Sequence, residues 1–185
     1  MRALGPGSVS SFLKIILDVV FAALWIGVAI SSLLTLAALL LGFNPDLLGD
    51  IGLNLDAGEQ ARNSALSELL KNGPSIASGL LAAALYLGGI LVIVGSLRRI
   101  FTTLTAGDPF HPDNVARLRL IGLMLAGLEL GRYAFWGVST WLITGVNKVE
   151  PTFSLTAWFS VLVVFVLAEV FREGARLRRE AELTI

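Results

Sequence analysis

Two residues in an otherwise apolar run stand out for their chemistry, Glu129 and Arg132. Three positions apart on a helix, a carboxylate and a guanidinium share a face and can pair. A charge at a bilayer centre costs about 2.5–3.5 kcal/mol on insertion scales, so each needs a partner or a purpose. Two chemistries fit: an internal ion pair facing a bundle interior, or a polar step in a transport or proton-relay path. Tyr133, Trp136 and Trp141 follow, either supplying a hydroxyl and ring faces or marking a membrane interface. Asp18 and Glu169 sit near the ends of other apolar runs, where interfacial ion pairing is the plain expectation. If their helices adjoin, these two acids and Arg98 or Arg99 form one charged cluster.

Little else points to catalysis. The chain has no cysteine, which removes disulfides, thiolate metal sites and cysteine nucleophiles. The single histidine, His111, with Asp108 and Asp113 makes a poor metal site of weak ligands in a turn. No zinc-protease motif, glycine-rich phosphate loop or nucleophile elbow is present, so neither an enzyme nor a cofactor is expected.

The elements that must hold these residues are helices in a membrane. Hydrophobic residues make up 55% of the 185 and charged residues 15%, against about 25% charged in soluble domains. Apolar stretches at roughly 12–41, 76–97, 118–143 and 153–171 can each cross a hydrocarbon core of about 30 Å. The expected architecture is an all-α integral membrane fold, a single four-helix bundle with a tail over 172–185. The first stretch is about twice the 7–15 residues of a signal-peptide core, so it reads as an uncleaved span. On this count Glu129 and Arg132 fall near the midplane.

Charge placement sets the expected orientation. Of fourteen Lys and Arg residues, ten lie at the N-terminus, the middle connection or the C-terminus. Arg62, Lys71 and Lys148 lie in the other two connections, and Arg132 lies within the third span. Positive residues are retained in the cytoplasm, so both termini are expected there, which agrees with an even number of spans. Formal net charge is zero, and no bulk field favours direct nucleic-acid binding.

The outer connection, about 43–74, is acidic. In it Ala57, Ala61, Ala65, Leu66, Leu69 and Leu70 recur at helical spacing before Gly73-Pro74. It reads as a short amphipathic helix across the outer mouth, or as a solvated loop. In the third span, Gly127 and Gly131 form a small-xxx-small pair. They stand opposite Glu129 and Arg132, so this span is either the most buried one or offers a face for homo-oligomerisation.

The middle connection carries Gly107 and Pro109 as turn residues, with Pro112, Asp113 and Asn114 opening the next helix. Phe110 is an apolar side chain in a polar turn, expected to tuck under the bundle or to meet a partner. After Phe171 a basic helix is expected to continue for about ten residues. It serves either as an anchor to anionic headgroups or as a contact surface. Leu183, Thr184 and Ile185 are apolar and β-prone. They are expected to dock against Phe110 or to add to a partner's sheet edge.

Two segments together resemble a known family. The first is Gly107-Asp108-Pro109-Phe110, continuing to Asn114, Arg117 and Arg119. The second runs from Glu169 through Phe171, Gly174 and Leu177 to Leu183-Thr184-Ile185. With four spans and this length, the chain resembles the bacterial membrane family named for domain of unknown function 2975. The tail departs from the family's more acidic, glutamine-bearing pattern at Arg178-Arg179-Glu180-Ala181-Glu182. The resemblance implies a four-helix inner-membrane protein encoded beside a small helix-turn-helix regulator. It follows that a membrane protein binding a cytoplasmic transcription factor is the leading expectation. A small transporter or channel subunit using Glu129 and Arg132, and a purely structural membrane protein, are the alternatives.

Overall fold

Long apolar sequence without water nearby forces the backbone to hydrogen-bond within its own segment. A computed structural model describes residues 9–43, 59–142 and 153–183. Among these residues every regular element is a helix: α1 (Val9–Phe43), α2 (Glu59–Thr105), α3 (Pro112–Leu142) and α4 (Leu155–Glu182). Three of them contain stretches long and apolar enough to cross a membrane, Phe12–Leu40, Ile76–Thr105 and Leu155–Ala181. At 31 residues α3 is long enough as well, but Glu129 and Arg132 interrupt its apolar run.

The outer connection differs from expectation. Residues 59–74 are helical, yet they belong to α2, which continues through Gly73 and Pro74 without a break. A separate amphipathic helix ending at that dipeptide is therefore not formed. Proline removes one hydrogen bond and bends a helix without having to end it. A glycine before it relieves the clash that usually bars that position from helical geometry. Residues 44–58, with Asp46, Asp50 and Asp56, lie outside the described residues.

The surface is apolar. Leu33, Leu85, Phe159 and Leu162 are more than half exposed on the long helices, an arrangement suited to lipid rather than water. Hydroxyl groups on these helices turn back to their own backbone. Ser31 donates to Gly27 O at 2.8 Å, Thr35 to Ser31 O at 2.7 Å, Ser96 to Val92 O at 2.8 Å and Ser160 to Thr156 O at 2.8 Å. Each polar group is thus satisfied without a partner from outside its helix.

The described residues fall into two compact units, one within Met1–Trp25 and Gly88–Ile185, the other within Ile26–Leu87. In the second, Gly27 of α1 lies against Leu87 of α2, and Thr35 and Ala77 are buried. The first unit carries the residues of functional interest. Its core includes Leu17, Ile100, Ile121, Val161, Ala168 and Ala175. There α3 and α4 run antiparallel, with Gly122 against the ring of Phe165 and Tyr133 against Ser154.

Candidate functional site

The end of α2 creates a rigid turn. Gly107 has φ +84°, the left-handed conformation that a residue lacking Cβ adopts without cost. Its N–H reaches Leu104 O at 3.1 Å, and the Asp108 N–H reaches Thr103 O at 3.0 Å. This is the paired closure of a Schellman cap, which satisfies the last carbonyls of the helix.

Asn114, in the first turn of α3, locks this turn from beneath and is fully buried. Its Nδ2 donates to Thr103 Oγ1 at 2.7 Å and to Pro109 O at 3.1 Å, and its Oδ1 accepts from Arg117 Nη1 at 3.0 Å. Arg117 also donates to Arg99 O at 3.3 Å. One amide thereby joins the end of α2, the turn and the start of α3. Arg119 is exposed.

Phe110 tucks in, against α4. Its ring stands 5.7 Å from that of Phe171 and lies on Gly174, where an added Cβ would be 2.6 Å from its Cδ1 and Cε1 atoms. Asp108 pairs with Arg178 of the same helix. The two segments separated in sequence, 107–119 and 169–183, therefore form one surface. Of the last residues, only Leu183 is described. Leu183 is 87% exposed and does not dock on Phe110, because Phe171 and Gly174 already occupy that place. Thr184 and Ile185 lie outside the described residues.

Beyond the turn, α4 continues as a charged helix to Glu182. Arg176 pairs with Glu173 at 3.0 Å and Glu180 at 3.2 Å, and Leu177 is 56% exposed. Glu169 pairs with Arg172 on its own helix. Asp18 instead pairs with Arg98 at 2.5 Å, whose guanidinium lies 4.4 Å from the centre of the Phe21 ring. The single cluster of Asp18, Glu169 and Arg98 or Arg99 is thus replaced by two separate pairs. Arg172 lies within reach of Glu169 one helical turn away, so Glu169 has a local partner.

His111 Nδ1 accepts the Asp113 N–H at 3.2 Å, and Asp108 is turned towards Arg178. Among the described residues no group of three or more His, Asp or Glu side chains is arranged to hold a metal ion.

Glu129 and Arg132 do pair, at 2.6 Å. The same Glu129 Oε1 accepts from the Tyr133 hydroxyl at 2.6 Å, and that hydroxyl accepts the Ser154 N–H at 3.2 Å. Ser154 is the N-cap of α4, its Oγ accepting from Ala157 N at 3.3 Å. The α3–α4 contacts give the level of this pair within the fold. Gly122 meets Phe165 and Tyr133 meets Ser154, so Glu129 lies level with Trp158, one turn inside the start of α4. The Trp158 Nε1 is buried with no hydrogen-bond partner among the described residues.

Within the chain the close helix approaches fall at other glycines than Gly127 and Gly131. Among the described residues nothing lies within 4 Å of an added Cβ at Gly127 or Gly131. The close approaches occur at Gly122, where an added Cβ would stand 3.1 Å from Phe165, and at Gly89, where it would stand 2.5 Å from Leu128. A spacing pattern identifies small residues but not which face of the helix meets a neighbour.

No curated protein and no solved structure matches this chain. A family model matches residues 63–185, a stretch that contains the turn, the Asn114 joint, the Glu129 relay and all of α4; the chain belongs to the family described as protein of unknown function DUF2975.

Proposed function

We propose that this protein is a four-span membrane interaction protein of the bacterial inner membrane. Both termini lie in the cytoplasm, and the α2–α3 turn with the α4 extension presents a surface to a cytoplasmic partner. A small helix-turn-helix transcription factor is the expected class of partner. The observation that carries this reading is the joint between turn and helix. Phe110 on Gly174 and Asp108 on Arg178 hold the extension of α4 in place, with Leu177 and Leu183 left exposed on it. A contact helix already ordered avoids the entropy cost of ordering on binding.

The Glu129 relay supports an interaction or structural role over transport. The Glu129 side chain is 12% exposed, and one of its oxygens takes both the Arg132 and the Tyr133 donors. Neutralised in this way, α3 can cross the bilayer as the fourth span.

The test is a pull-down in mild detergent from native membranes. It compares the full chain with a form lacking 181–185 and with Leu177→Asp. Capture of a DNA-binding protein that both changes abolish is the expected result. Recovery of self-contacts alone overturns the partner assignment.

A further inference from the structure

The basic end of the first unit contains a cleft of about 490 Å³ between α1, α2 and α3. Its polar end is formed by Lys14, Asp18, Arg98 and Arg99. Asp18 is occupied by Arg98, which is also held over Phe21. Neither Lys14 nor Arg99 has an acidic partner among the described residues, although the basic residues of α4 at this end are mostly paired. Two positive charges therefore line one cleft without an ion-pair partner among the described residues, the cleft's one acid, Asp18, being taken by Arg98.

The rest of the cleft is apolar, and the polarity is graded. Leu91 and Val92 lie about two turns from Arg98 and Arg99 towards the interior of the span, and Phe21 and Leu120 close the sides. Gly95 allows this closure, since a Cβ there would stand 3.3 Å from the Phe21 ring. A free phosphate would use only the cationic end. A ligand with an anionic head and an apolar tail uses the whole cleft.

We propose that this cleft binds an anionic phospholipid, with the headgroup phosphate between Lys14 and Arg99 and an acyl chain along Leu91 and Val92. Basic pockets between membrane helices on the cytoplasmic side recognise such headgroups. The Asp18–Arg98 pair acts as a buttress that sets the width of the polar end. The assignment does not depend on a protein partner.

The experiment uses the full chain, delipidated in detergent, with bound lipid read by native mass spectrometry. The probes are dioctanoyl-phosphatidylglycerol, dioctanoyl-phosphatidylcholine and inorganic phosphate. Phosphatidylglycerol is expected to bind at least tenfold more tightly than phosphatidylcholine. Lys14→Gln and Arg99→Gln should each weaken it about fivefold. Arg176→Gln, which removes a charge of equal sign outside the cleft, should change it less than twofold. Leu91→Trp keeps every charge and fills the apolar wall, so it should also lose binding, with folding checked by thermal melting. Equal binding of the two lipids, or equal losses in the cleft variants and Arg176→Gln, overturns the site. Full competition by inorganic phosphate, or normal binding by a folded Leu91→Trp, overturns the lipid assignment.

Discussion

The Phe110 ring rests on Gly174, so closely that a methyl group at position 174 would stand 2.6 Å from two ring carbons. This contact couples the α2–α3 turn to the outgoing part of α4. Gly174→Ala is expected to destabilise the protein by about 1–3 kcal/mol, the range for overpacking a close contact. Combining it with Phe110→Leu should recover much of the loss, because the smaller side chain vacates the contested space. A double-mutant cycle from thermal melts in detergent measures the coupling. Additive effects would show that the two residues do not touch.

Asn114 is fully buried and bonds three segments at once. Asn114→Ala leaves the Pro109 carbonyl without its donor and removes one acceptor of Arg117, which keeps Arg99 O, and should cost about 2–3 kcal/mol. Hydrogen exchange should rise at the amides of 103–110 while those in the middle of α4 stay protected. Uniform exchange across the chain would contradict a local joint.

Glycines of α2 and α3 should separate into two classes. Gly127→Ala and Gly131→Ala meet no neighbour and should leave stability unchanged or raise it by up to about 1 kcal/mol, through helix propensity. Gly89→Ala and Gly122→Ala must displace Leu128 and Phe165 and should lower the melting temperature. If a second copy packs on the open face, Gly131→Ile would abolish dimers without lowering monomer stability. Chemical cross-linking in lipid reads this directly, and an unchanged monomer in both forms removes that face as an interface.

Tyr133 links the Glu129 carboxylate to the first backbone N–H of the α4 cap. Tyr133→Phe should cost about 1 kcal/mol and accelerate hydrogen exchange at Ser154. An unaffected Ser154 amide would mean that the relay does not fasten the helix start.

The Trp158 Nε1–H is buried without a partner among the described residues. An unsatisfied donor carries a desolvation penalty of about 1–3 kcal/mol, so Trp158→Phe should be neutral or stabilising despite the smaller ring. A clear drop in melting temperature would reveal a partner for that N–H in the membrane.

Much of this arrangement is legible in the chain because it is local. Gly107 marks the end of α2, since a Schellman cap needs a left-handed residue. The i, i+3 spacing of Glu129 and Arg132 dictates their pairing. The apolar run after Ser154 and the charged run after Phe171 mark α4 and its extension. The Gly73-Pro74 break misleads for the same local reason, because turn propensity alone cannot weigh the helix on either side of it.

What the sequence by itself determined is a set of long apolar helices, the ends at which basic residues gather, and a turn beginning at Gly107. Those follow from hydropathy and backbone sterics, which act over a few residues. Tertiary structure alone decided which residues meet across the fold. It sets Phe110 on Gly174, Asp108 on Arg178 and Asp18 on Arg98, and it leaves Lys14 and Arg99 together at one cleft. The physical reason is that register and rotation between helices are set by the sum of close contacts. Helical spacing offers several faces of similar composition, and only packing selects among them.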